Sequence, residues 1–223
     1  MKRIRTIGKI GTLILLAFML LFTPVIDSAG FDVARAQQNL QYWHSTADKV
    51  YFRGPRVSIY CTSMFSSGNL STSQIRSYIA TSRTTWSFLG LSYTDLSSPN
   101  GASITVKGID YKKAEEMGFD ETVYGYTDIR SESLEGVGVG NYNGSPKYIY
   151  KITGATFIYL IDRNKDSTFC RRIATHEFTH ALGYYGHYNA SGALMNSDPL
   201  EIRTTSPSTN ERNHLKQIYD YQL

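Results

Sequence analysis

Apolar positions along this chain follow two rhythms, one of period two and one near 3.6. Val57-Ser58-Ile59-Tyr60 alternates and predicts a first strand. Residues 73–88 place Ile75, Tyr78, Ile79, Trp86 and, just beyond, Leu89 on one helical face. Leu91-Ser92-Tyr93-Thr94 predicts a short second strand, closed by Ser97-Ser98-Pro99-Asn100-Gly101. Residues 102–107 and 123–129 predict a third and fourth strand, and 147–152 a hairpin arm. Residues 155–161 are apolar almost throughout, as expected of a central strand covered on both faces. A long helix is expected over 167–182. Ser208-x-x-Glu211 has the form of a capping box and opens a last helix over about 209–221. Residues 37–50 read as a mobile arm, and 131–147, rich in Gly, Ser and Asn, as a long loop. No internal repeat is visible. The order is strand, helix, four more strands, long helix, last helix, which predicts an α+β domain.

The first 36 residues break this pattern. Lys2, Arg3, Arg5 and Lys9 precede an apolar run over 10–22, ended by Pro24. Small residues follow at Ser28-Ala29 and at Ala34-x-Ala36. This is the layout of a secretory signal peptide, with cleavage after Ala36 or after Ala29. An uncleaved anchor is the alternative, although the run is short for a spanning helix. No Cys follows it, which argues against a lipid anchor. Export and a single domain over 37–223 are the expectations.

Charge then removes one class of function. The chain carries a formal +4, but residues 1–36 hold five Lys/Arg against two Asp/Glu. The remainder is near neutral, so nothing supports a nucleic-acid partner. Seventeen Tyr and ten Phe suit aromatic packing and strands. Only Cys61 and Cys170 are present. Export permits a disulfide between them, and two buried thiols are the equal alternative.

The chemistry lies in His176-Glu177-Phe178-Thr179-His180-Ala181-Leu182-Gly183-Tyr184-Tyr185-Gly186-His187. His176 and His180 are four residues apart, so a helix puts both imidazoles on one face within reach of one ion. Glu177 can reach a water on that ion as general base. Gly183 stands where the helix must end and turn, and the turn returns His187 toward the same point. Three imidazoles and one open position form a catalytic zinc site rather than a closed structural one. Asp198, Glu201 and Glu211 are the other candidates for third ligand. Met195 follows His187 by eight residues, within Ala193-Leu194-Met195-Asn196. Asp162-x-Asn164-x-Asp166 has the spacing of a calcium loop, but Ser167 and Ile173 stand where Gly and Glu are needed. A polar turn capping the long helix is the favoured reading.

These residues resemble the metzincin clan of zinc peptidases, and within it the matrixin-like members. Their motif is H-E-x-x-H-x-x-G-x-x-H followed by a Met-turn beneath the metal. His176, Glu177, His180 and Gly183 match in place, and Ala193-Leu194-Met195 resembles the Met-turn. The third His arrives one residue late, at 187 instead of 186. This predicts a one-residue insertion absorbed by a positive φ at Gly186.

The resemblance implies a zincin catalytic domain. Its fold would be a twisted mixed sheet of about five strands, an active-site helix and a C-terminal helix. It also implies Zn²⁺ on His176, His180 and His187, Glu177 as catalytic base and Met195 as structural support. The implied activity is hydrolysis of protein or peptide substrates bound extended along the fourth strand, with residues 196–206 walling a side-chain pocket. Tyr184, Tyr185 and Tyr188 are candidates to steady an oxyanion, or else to pack the turn. A secreted monomeric endopeptidase is the expected protein. A cell-wall peptide hydrolase or amidase on the same zinc site is an alternative, as is an inactive secreted binding module.

Overall fold

The structure, a computed structural model, describes residues 38–222; the expected leader lies outside them. In chain order the elements are β1 (Gln38–Asn39), β2 (Lys49–Arg53), β3 (Arg56–Ser63), α1 (Thr72–Thr85), β4 (Ser92–Asp95), β5 (Ile104–Asp110), α2 (Tyr111–Glu116), β6 (Gly125–Ile129), β7 (Leu134–Tyr142), β8 (Ser145–Ile152), β9 (Thr156–Asp162), α3 (Ser167–Leu182) and α4 (Thr209–Gln222). The fold is α+β, with a mixed sheet and four helices among the described residues.

The five-stranded sheet has the order β4-β3-β5-β9-β6. Its first four strands are parallel, and β6 runs antiparallel to β9 at the edge. β5 and β9 are interior, as the apolar run over 155–161 predicts, and they pair in register from Ile104↔Thr156 to Asp110↔Asp162. Ile104, Val106, Ile158 and Leu160 are at most 1% exposed. Burying each such side chain stabilises the fold by about 1.5–3 kcal/mol.

α1 and α3 pack on each other. Ser71 caps α1 by accepting the Gln74 N–H, and Ile75, Tyr78 and Ile79 are its buried face. The Trp86 indole donates to Thr179 Oγ1 at 2.8 Å, and Ser82 Oγ donates to Thr175 Oγ1 at 3.1 Å. α1 ends at Thr85, three residues before the expected 88. The chain tightens there into a 3₁₀ turn over Ser87–Leu89, closed by Gly90 at φ 72°.

α3 matches its expected bounds and is buried on most sides. Asp166 caps it by accepting the Phe169 N–H at 2.9 Å, while Asp162 accepts the Asn164 N–H. The Asp162-x-Asn164-x-Asp166 run therefore serves as a polar turn and cap. At the other end, Arg53 Nε donates to the Ala181 carbonyl at 2.6 Å and Tyr219 Oη to the Leu182 carbonyl at 2.7 Å. Terminal carbonyls that a helix leaves unpaired are thereby satisfied inside the protein.

Two expectations are corrected. The stretch 131–147 is not a loop. It holds β7, which turns through Asn143 (φ 49°) and Gly144 (φ 82°) into β8. Two consecutive positive φ values are what a two-residue hairpin needs, and Asn-Gly supplies them. This hairpin builds a second sheet of four strands, β1-β7-β8-β2, beyond the one sheet expected. The stretch 37–50 is not a mobile arm either: β1 and the start of β2 lie in it, and Leu40, Trp43 and Val50 are buried. Of the two readings left open for Cys61 and Cys170, the structure takes the second, and they form no disulfide. Both are buried free thiols, and burial pushes each up to about 11.

Candidate metal centre

His176 and His180 lie one turn apart on α3, and their Nε2 atoms approach to 3.0 Å. Main-chain carbonyls set the ring orientations. His176 Nδ1 is 2.7 Å from the Leu194 oxygen, and His180 Nδ1 is 2.6 Å from the Tyr184 oxygen. A carbonyl only accepts, so each Nδ1 carries the proton and donates it. Both Nε2 atoms then present bare lone pairs to one another, an arrangement that a shared cation relieves. Burial lowers the proton affinity of both rings, that of His176 to about 4 and that of His180 well below the ordinary 6.5. The other imidazoles of the group lower them further.

His187 completes the group. Its ring centroid lies 5.4 Å from that of His176 and 5.1 Å from that of His180. One nitrogen from each of the three lies within 4.8 Å of the others. A tetrahedral ion with ligands at about 2.0–2.1 Å separates its donors by roughly 3.4 Å, so three imidazoles grouped this way could hold a metal ion by closing in on it. The rival ligands are engaged elsewhere. Asp198 caps the short 3₁₀ turn over Pro199–Glu201 through the Leu200 N–H, and Glu201 pairs with Arg203 at 3.1 Å. Glu211 is fully buried, accepting from Ser208 N–H and from Met195 N–H, both at 2.6 Å.

The turn that delivers His187 has the expected conformation. Gly183 ends α3 at φ 119°, and Gly186 sits at φ 77°. Met195 is fully buried. Its carbonyl accepts the Tyr188 N–H at 2.7 Å, and the preceding Leu194 carbonyl is the one that orients His176. Glu211 thus ties the segment beneath the imidazoles to the start of α4. The capping-box reading found this residue, but its second carboxylate oxygen, bound to Met195, had no signal in the sequence.

Glu177 lies against the edge strand. Its Oε2 accepts from Thr127 Oγ1 on β6 at 2.7 Å. Burial pushes the carboxyl up to about 7, while the Thr127 hydrogen bond pulls the other way. Gly125 makes the approach of β6 to α3 possible, since a Cβ there would stand 2.7 Å from Glu177 Cγ. Neither Thr127 nor Gly125 is marked in the sequence, because the contact joins positions about fifty residues apart.

Two cavities flank the group. One, of about 790 Å³, is bounded by Val123, Ile173, Asn196, Asp198, Leu200 and Ile202, so part of the 196–206 segment does wall a pocket. The other, of about 540 Å³, runs along β6 past Tyr126 and Tyr185. His176, Glu177 and His187 line both. Of the three tyrosines near the turn, Tyr185 lines the second of these two cavities and Tyr184 and Tyr188 line neither. Tyr184 is buried and donates to the His44 carbonyl, and Tyr188 Oη accepts from Asn210 at 2.9 Å. No known protein family matches this chain, and comparison with curated proteins finds no match either.

Proposed function

We propose that the chain is a zinc-dependent endopeptidase of the metzincin clan, matrixin-like, exported and acting as a monomer. One observation carries this: two imidazoles locked by main-chain carbonyls aim bare Nε2 atoms at each other, with a third imidazole and a buried carboxylate alongside. Neutral imidazoles suit zinc, and His176, His180 and His187 would hold it with one position left open. Bound there, zinc supplies a Lewis acid that acidifies water and polarises a carbonyl. Glu177, buried beside the imidazoles, would take the proton of the attacking water and hand it to the leaving amine. Thr127 holds that carboxylate in line. The outer edge of β6 pairs with an extended substrate, and the 790 Å³ cavity receives a side chain next to the cleaved bond. Export rests on the leader pattern of residues 1–36. No helix among the described residues is long and apolar enough to cross a membrane.

Purified protein incubated with a mixed protein substrate and, separately, with peptidoglycan tests the reading. Zinc-dependent cleavage of the proteins supports it. Release of wall peptides alone would replace it with a cell-wall hydrolase. Zinc binding without any hydrolysis would leave a binding module.

A further inference from the structure

The third ligand sits on a turn, not a helix, and a second stretch of chain covers that turn residue by residue. Tyr51 N–H donates to the Gly183 carbonyl at 3.0 Å. The His44 carbonyl accepts from Tyr184 Oη, and Ser45 Oγ donates to the Tyr185 carbonyl. Gly186 packs so tightly that a Cβ on it would lie 2.7 Å from Ser45 Oγ and 2.8 Å from Ala47 N. Thr46 takes both peptide groups of His187. Its N–H donates to the His187 carbonyl at 2.8 Å, and its Oγ1 accepts the His187 N–H at 3.0 Å.

The covering stretch is itself anchored on the far side. Tyr42 N–H donates to Gln217 Oε1 and His44 N–H to His214 Nδ1, each at 3.1 Å. The buried Trp43 ring meets His214 edge-on at 4.7 Å, and its indole N–H reaches the Ala47 carbonyl at 3.0 Å.

We infer that residues 44–47 belong to the metal centre as a strap that positions the third ligand, with Thr46 as its central positioning residue. The inference rests on the zinc reading above. Two hydrogen bonds to one residue, pointing in opposite directions along the chain, fix the His187 backbone and leave only its side-chain torsions free. The strap also explains the form of the turn. The extra residue between His180 and His187 lets the turn run alongside 44–47, and glycine at 186 lets the two chains touch. Thr46 bonds the His187 main chain and is not one of the three residues that would hold the ion. It acts through His187.

The test compares wild type, Thr46→Val and Thr46→Ser, each loaded with zinc and, separately, with Co²⁺. Valine keeps the shape and the N–H but loses the acceptor. The expected result is a rise of about 3- to 10-fold in the zinc dissociation constant for Thr46→Val. A changed visible spectrum of the cobalt form should accompany it, with the metal-free protein still folded and its melting temperature lowered by no more than the loss of one hydrogen bond implies. Thr46→Ser, which keeps the acceptor, should restore the affinity and the cobalt spectrum. Gly186→Ala, which loads the same contact from the other side, should shift the cobalt spectrum in the same way. Equal affinities and identical cobalt spectra across wild type, Thr46→Val and Gly186→Ala would overturn the strap. A wild type that binds neither metal would overturn the zinc reading itself, a separate outcome.

Discussion

The two halves of the candidate metal centre are built differently. His176 and His180 stand on α3, which is capped at both ends, packed against α1 and the sheet, and buried at eleven positions. Their separation is a property of the helix and their ring orientations are set by two main-chain carbonyl contacts. His187 stands on a half-exposed turn held by hydrogen bonds to a strap from the other end of the domain. The first half is pre-organised by packing, which resists small changes because dense interiors do not deform continuously. The second is organised by a handful of polar contacts, each worth about 0.5–1.5 kcal/mol. Damage to the first half should therefore abolish metal binding, and damage to the second should grade it.

His180→Ala should have the largest effect. It breaks the rigid helical pair and leaves only His176 and the turn-borne His187, and zinc affinity should drop on the order of 10³-fold or more. Isothermal titration or chelator competition measures it. His187→Ala should cost less, on the order of 10²-fold, because the rigid pair survives. If zinc stays stoichiometric and tight in His187→Ala, the third ligand lies elsewhere and the division into halves is wrong.

Gly186→Val comes next. A β-branched residue at φ 77° costs about 1–3 kcal/mol in backbone strain, and the strap leaves no room for its side chain. A fall of roughly 10- to 100-fold in zinc affinity is expected, with the fold retained as judged by circular dichroism. Unchanged affinity would mean that the turn does not set the position of His187.

The smallest effect concerns acid. In the metal-free protein burial pulls His214 down to about 3 and His176 to about 4, from an ordinary 6.5. The unfolded chain then binds more protons than the folded one between those values and 6.5, so stability falls as pH drops through that window. Glu177, pushed up to about 7 from 4.5, has the opposite sign, and its contribution is lost as pH rises toward 7. Below about pH 4.5 only the histidine effect remains. Melting temperatures of the metal-free protein should therefore fall gently from pH 7 to 5.5, where Glu177 offsets only part of the histidine effect, and more steeply below. A melting temperature that rises on acidification below 4.5 would contradict the burial of neutral imidazoles.

The same contrast governs what the sequence discloses. α3 and its ligands are legible because everything that defines them is local: an N-cap Asp at 166, a 3.6 rhythm, His at i and i+4, and Gly at the end. β3, β5 and β9 are legible through apolar alternation or continuity. The strap is not, because Thr46, Ser45 and Trp43 gain their meaning from partners about 140 to 170 residues away. The Leu194 and Tyr184 carbonyls that lock the imidazoles are main-chain atoms and leave no mark on residue choice. β7 was hidden for another reason. Its glycines and exposed polar residues lack strand character, and the Asn143-Gly144 turn signal beside it was the one clue that a hairpin was present.

The central claim is tested most directly by measuring zinc content and peptide-bond cleavage together in wild type and Glu177→Gln. Glutamine keeps the shape and leaves all three imidazoles in place but cannot take a proton. The account predicts about one zinc per chain in both proteins, cleavage by wild type, and a loss on the order of 10²-fold or more in the variant. Cleavage by Glu177→Gln at the wild-type rate, or by wild type stripped of metal, would contradict it.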